Sequence, residues 1–290
     1  MDEAIGIGIE FSAMASHCEV RAAGLSADAA HAACLAAIDE VRRIETRFSR
    51  YRDDSVVGRI NRAAGGEPVA VDEETMGLLA YADALYHESG GLFDATSGVL
   101  RLVWNFGAGR PPKPEWVDAI LPRIGWHRVE WGDGRVRLPE AGMQLDFGGF
   151  GKEYAADRAA AVLIEHGMAH GFVNLGGDLR AIGPRPDGAP WRIGIQDPRH
   201  AESMIAWIPL SRGGLATSGD YERYVEIDGR RYCHILDPRT GMPVRAWQSI
   251  SVVAPDRFRS GAKPSVRDMD CSCASGLASG ELVCRCVSTY

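Results

Sequence analysis

The sequence predicts an α+β fold, mostly antiparallel sheet with packed helices. Two observations carry that prediction. Amphipathic helical spacing is concentrated in residues 29–89, and strand-like runs concentrate in the second half. Those runs join through tight glycine turns, such as Gly132-Asp133-Gly134 and Asp228-Gly229, rather than by strict βαβ alternation. With 290 residues and 46% hydrophobic content, the chain can bury the core of one large domain or two intimate lobes. No internal repeat is present.

In chain order, residues 5–11 and 18–22 read as strands around a break at Ser12-Ala13-Met14-Ala15-Ser16. Ser26 to Asp28 can cap a helix over 29–48, where Leu35, Ile38, Val41, Ile44 and Phe48 recur at three- and four-residue steps. A short second helix is expected at 55–61. A third, over 72–89, stops at the glycine pair Gly90-Gly91. The Gly/Pro-rich 107–114 segment reads as a surface loop or lid.

Further on, 129–131 and 136–138 make a hairpin. The stretch 145–156, Leu-Asp-Phe-Gly-Gly-Phe-Gly-Lys-Glu-Tyr-Ala-Ala, then runs a short apolar segment through glycines into a helix that continues to His166. That order brings backbone close to a ligand, because glycine has no Cβ and a helix start offers free N–H groups. It is neither a dinucleotide fingerprint nor a P-loop, since no Ser or Thr follows Lys152. A strand over 171–179 enters a second double-glycine turn. Strands follow at 191–196 and 205–210, a polar turn at 215–221, a hairpin at 224–227 and 231–236, and a last strand at 250–254.

Net charge is −7, and no basic run suggests nucleic-acid binding. No apolar stretch approaches the roughly 18 residues of a membrane span. The acidic N-terminus lacks a basic signal region, which reads as a cytoplasmic chain as written, or as a truncated start. Of seven cysteines, Cys18, Cys34 and Cys233 are isolated and read as buried thiols, and four crowd the C-terminus at 271, 273, 284 and 286. Their Cys-x-Cys spacing fits structural zinc poorly.

Five turns pair glycine or a strand end with a carboxylate: Phe93-Asp94-Ala95-Thr96, Leu145 to Gly149, Asn174 to Asp178, Thr217 to Asp220, and His234 to Pro238. Together they suggest one site lined by loops, with oxygens suited to a hard cation. Phe11 to Ser16, Arg47-Phe48-Ser49-Arg50-Tyr51, Gly91 to Thr96, Leu145 to Tyr154, Val173 to Asp178, Ala216 to Tyr221 and His234 to Pro243 resemble the FAD:protein FMN transferases, the ApbE-like flavin transferase family. The motifs occur in the family's order over roughly residues 10–255.

The resemblance implies an FAD site in a cleft between two intimate lobes. It implies Mg²⁺-dependent transfer of FMN from FAD onto a threonine hydroxyl of an acceptor flavoprotein, with release of AMP. On that analogy Met14 and Tyr51 flank flavin or adenine, and Leu92, Phe93, Asp94 and Asp146 hold FAD. The Gly149 carbonyl binds the metal, Lys152 reaches phosphate, His234 moves the proton, and Ile235 lines the FAD site. Met14 could equally be core, Tyr51 a helix-end packing residue, and the 217–219 turn only a turn. Asp178 reads best as capping its own turn. Family members are often exported and membrane-anchored.

Residues 256–290 depart from the pattern. The family continues into an alanine-rich helix with an Asp-Ala-x-x-Thr-type motif whose side chains complete the Mg²⁺ site. Here Asp268 to Ser272 is a faint echo, within a Ser-, Cys- and Arg-rich tail without helical or strand period. We take 1–255 as the transferase domain and expect the tail to be an out-of-frame or disordered segment, impairing activity; the encoding DNA read in its other frames tests the former. The alternatives for the whole chain are an FAD-binding protein, an FAD pyrophosphatase without protein acceptor, or an inactive remnant.

Overall fold

The computed structural model describes residues 6–254, except 25 and 246, together with the backbone of 283–287. Chain order begins with strands β1 (Ile7–Ala13) and β2 (Ser16–Ala23), helices α1 (Ala27–Phe48) and α2 (Val56–Arg62), strand β3 (Val69–Ala70) and helix α3 (Glu73–Glu88). Helix α4 (Pro114–Ile120), strands β4 (Glu130–Gly132) and β5 (Arg135–Arg137), and helix α5 (Gly151–Glu165) follow. The remainder is strand: β6 (His170–Leu175), β7 (Asp178–Gly183), β8 (Trp191–Gln196), β9 (Met204–Leu210), β10 (Gly213–Gly219), β11 (Tyr224–Ile227), β12 (Arg230–Cys233), β13 (Ser249–Ala254) and β14 (Val283–Val287).

Seven strands form one sheet in the order β1-β2-β6-β7-β10-β13-β14, antiparallel throughout. Its two faces carry different cores because strand side chains alternate. On β6, Val173 and Leu175 enter the larger core with α1, α3 and α5. Phe172, one residue before Val173 and so on the opposite face, enters a smaller core with Leu179, Trp191, Ile195 and Leu215, under the separate β8–β9 hairpin. The result is three layers: helices, sheet, hairpin.

The helical layer follows from its sequence. Ser26 accepts the Ala29 N–H and starts α1. Its buried stripe is rich in alanine (Ala30, Ala33, Ala37), as is that of α5 (Ala155, Ala156, Ala159, Ala160), and small side chains let the two helices pack closely. Asp72 caps α3 through the Thr75 N–H.

Three expectations are corrected. The 215–221 segment, read as a polar turn, falls mostly in β10, an interior strand where the Thr217 and Ser251 hydroxyls of neighbouring strands pair at 2.8 Å. Glycine and hydroxyl residues mimic turn chemistry, and sheet partners override that preference. Most of β7 lies beyond the strand expected over 171–179. In the tail, 283–287 pairs with β13 as an edge strand; the rest of 255–290, with the proposed frame change, lies outside the described residues.

Candidate active site

A cleft of about 820 Å³ opens where the two cores meet. Ile44, Phe48 and Leu78 reach it from the larger core, and Leu179, Ile193 and Leu215 line it from the smaller one. Its size and mixed lining suit a large organic ligand with charged groups.

The glycine turn after Leu145 forms one wall. Asn61 clamps Leu145, accepting its N–H at 2.6 Å and donating to its carbonyl at 3.0 Å. The Asp146 N–H donates to Ala95 O at 2.8 Å. The Asp146 carboxylate accepts Arg50 Nη1 at 2.9 Å and the Gly148 N–H at 2.8 Å. Arg50 also donates to Gly98 O and Gln144 Oε1, both at 2.6 Å. A Cβ at Gly149 would lie 2.5 Å from the Phe93 ring, so only glycine lets the turn close over that ring.

The β1–β2 loop forms a second wall. Met14 and Ala15 have φ of +52° and +55°, a left-handed pair that costs non-glycine residues about 1–2 kcal/mol each. The Met14 N–H donates to Glu45 Oε1 at 2.6 Å. Beside it, joined by the Gly176 N–H to His17 O hydrogen bond of 3.1 Å, stands the β6–β7 turn, where Gly177 N–H donates to Asn174 Oδ1 at 2.9 Å. Asn174 thus caps this turn, and Asp178 lines the cleft at the start of β7. Lys152 Nζ lies 3.2 Å from where a Cβ of Gly176 would be. Cys18 sits nearby; burial pushes its thiol up, and the Lys152 charge partly offsets that.

The last wall carries Thr217, Ser218, Tyr221 and His234. Tyr221 packs so closely on Gly219 that a Cβ there would meet its ring at 2.1 Å. Burial pushes the Tyr221 hydroxyl above its ordinary value. The His234 backbone N–H donates to Arg223 O at 2.9 Å, which fixes the residue at the end of β12.

Of the residues singled out from sequence, Met14, Tyr51, Asp146, Lys152 and His234 line this one cleft. Tyr51 is 76% exposed at its rim, with the Arg50 guanidinium 5.7 Å from its ring. Leu92, Phe93, Asp94, Gly149 and Ile235 lie outside the lining. Phe93 supports the turn from behind. Asp94 is buried and accepts from the Thr96 N–H, the Thr96 hydroxyl and the Trp126 N–H, so it braces the loop. The Ile235 carbonyl accepts the Val244 N–H. Sequence reading passed over Glu45, Arg50, Arg101 and Tyr221. Arg50 and Tyr221 stand inside quoted motifs; nothing local marks Glu45.

The described residues do not by themselves assemble a side-chain magnesium site. Asp146, the carboxylate nearest in sequence to Gly149, is committed to Arg50 and Gly148. Among the described residues no group of three or more His, Cys, Asp or Glu side chains could hold a metal ion. The Asp268 to Ser272 stretch lies outside the described residues. Also among the described residues, no helix is long and apolar enough to cross a membrane.

The ApbE family profile matches residues 14–263. An FAD:protein FMN transferase of Treponema pallidum is 34% identical over 244 residues, 78% of this chain and 67% of that protein. One of Salmonella typhimurium is 32% identical over 72% of this chain and 62% of its own length. The chain thus spans about two thirds of these curated relatives. Among solved structures, an ApbE protein of Thermotoga maritima superposes with a TM-score of 0.79 at 36% identity, covering 86% of this chain and 82% of that one. The flavinyl transferase ApbE of Pseudomonas stutzeri, in its apo form, gives 0.73 at 30% identity, covering 85% and 79%. With the family profile matched over residues 14–263 and a fold shared over most of its length, the chain belongs to the ApbE family.

Proposed function

We propose that the chain is an FAD:protein FMN transferase, moving FMN from FAD to a threonine hydroxyl on an acceptor flavoprotein and releasing AMP. One observation carries this reading: Lys152 and His234 face one dinucleotide-sized cleft, together with Met14 and Tyr51.

Apolar walls around Met14, Phe48 and Leu78 suit an isoalloxazine ring. The Lys152 ammonium offsets negative charge on the pyrophosphate as the transfer proceeds. His234, in its neutral form, accepts the threonine proton. The threonine oxygen bonds to the FMN phosphorus, the bond from that phosphorus to the bridging oxygen breaks, and AMP departs with the oxygen. Magnesium is implied by the family, where the Gly149 carbonyl would be among the groups holding it and the ion would offset phosphate charge; no step here runs through it.

The test incubates the chain with FAD, Mg²⁺ and a threonine-bearing acceptor domain. The expected result is AMP release matched by a covalent FMN mass shift on the acceptor. Free FMN without labelling makes the chain a pyrophosphatase. FAD binding without AMP leaves a binding protein.

A further inference from the structure

We infer that Glu45 is a positioning residue for FAD: its carboxylate holds the Met14–Ala15 turn in the shape that the ligand meets. The inference rests on the FAD reading above and adds a residue to it.

Two-residue hairpin loops with two left-handed positions ordinarily take Asn-Gly or Asp-Gly. This loop has methionine and alanine, with φ of +52° and +55°. Local preference therefore opposes the observed shape, and something outside the loop must hold it. Glu45 does so from α1, a helix fixed by its neighbours Val41, Ile44 and Phe48 in the core. Its Oε1 takes the Met14 N–H at 2.6 Å, while the Ser16 hydroxyl touches the Met14 carbonyl at 3.4 Å. Both polar groups of the Met14 backbone are engaged.

The arrangement serves the cleft as well as the fold. Met14, Ala15, Ser16 and Glu45 all line it. A glycine at 15 would take the left-handed shape without help. The chain instead pairs a strained loop with a carboxylate at the ligand surface. Across the loop, Ser16 presses on Gly176, beside Lys152. A turn that drifted from Glu45 would displace the Met14 side chain and Ser16 from the wall that faces Lys152.

The experiment compares Glu45→Ala, Glu45→Gln and the double variant Glu45→Ala/Ala15→Gly in the full chain. It measures FAD Kd by flavin fluorescence, and KM and kcat from AMP release. Glu45→Ala should raise Kd and KM for FAD about ten-fold with kcat within about two-fold. Glutamine keeps an acceptor oxygen and should stay within about three-fold. The double variant should recover part of the loss, because glycine removes the strain at position 15 while Met14 keeps its own. Circular dichroism establishes that each variant is folded; should Glu45→Ala alone fail to fold, glutamine against the double variant carries the comparison. An unchanged Kd in Glu45→Ala overturns the inference. So does a loss that neither glutamine nor glycine at 15 recovers, which would mark a direct ligand contact. Failure of the unaltered chain to bind FAD sinks the underlying reading instead.

Discussion

The Arg50 guanidinium and the Asp146 carboxylate meet at 2.9 Å, 96 residues apart in sequence, with side chains only 9% and 16% exposed. The pair ties the segment after α1 to the glycine turn. Removing the arginine leaves the half-buried Asp146 carboxylate with only the Gly148 N–H, and takes a donor from the Gln144 amide oxygen and the Gly98 carbonyl as well. We expect Arg50→Ala to destabilise the chain by about 3–5 kcal/mol. Arg50→Lys should recover less than half of that, since a single ammonium cannot match a guanidinium fork across three acceptors. Urea unfolding at constant m-value measures both; a loss under about 1 kcal/mol for the alanine variant would contradict the anchoring role.

His234→Ala should lower kcat by a factor of about 10²–10⁴ while FAD Kd stays within about three-fold. Single-turnover AMP release and equilibrium binding separate the two. Equal losses in binding and rate would make His234 a ligand contact rather than a proton acceptor.

At Gly176, φ is +66° and an added Cβ would lie 2.7 Å from both Ser16 side-chain atoms. Gly176→Ala should therefore cost about 2–4 kcal/mol, strain and overpacking together, and weaken FAD binding. Gly188 has φ of +80° with nothing within 4 Å of its Cβ position. Gly188→Ala should cost only about 1–2 kcal/mol and leave binding intact. Paired thermal melts and FAD titrations would show the difference.

Stability should fall in acid through the α1–α3–α5 surface network. Arg43 hydrogen bonds hold the Glu74 carboxyl below its ordinary 4.5 against the opposing effect of burial, and the Tyr154 hydroxyl helps. Glu40 is lowered the same way, chiefly by Arg43. A depressed folded value means the unfolded chain binds protons first as pH drops. The stabilisation is complete above about 4.5 and is lost as pH falls through the lower folded values. Denaturant midpoints between about pH 3 and 6 should drop accordingly, and Glu74→Gln should flatten that slope. An unaltered slope in Glu74→Gln would place the acid sensitivity elsewhere.

Helices and hairpins were legible where spacing and caps agree. Helix α1 was expected to end at Phe48, and it does; β8 and β11 stand where alternation put them. Strand β10 was hidden because Thr217, Ser218 and Gly219 carry turn chemistry, and only its place between β7 and β13 makes them strand. The site was half legible. Motif order pointed to Asp146, Lys152 and His234, all on the cleft. Adjacency to a glycine turn says nothing about side-chain direction, which is why Asp94 turned out to brace Trp126. Glu45 was invisible, because its meaning depends on a hairpin 31 residues earlier.

The register of β2 against β6 pairs Cys18 with Leu175. A ribosome delivers the β1–β2 hairpin early, yet its inner edge waits for a partner until Leu175 has emerged. Through that interval the nascent chain carries an open strand edge, the kind of surface that invites aggregation and chaperone attention. Closing so distant a seam is also slow. Met14 stands on one side of that seam and Gly176 on the other, so the ligand cleft is a late product of biosynthesis, completed only after more than half of the chain has been made.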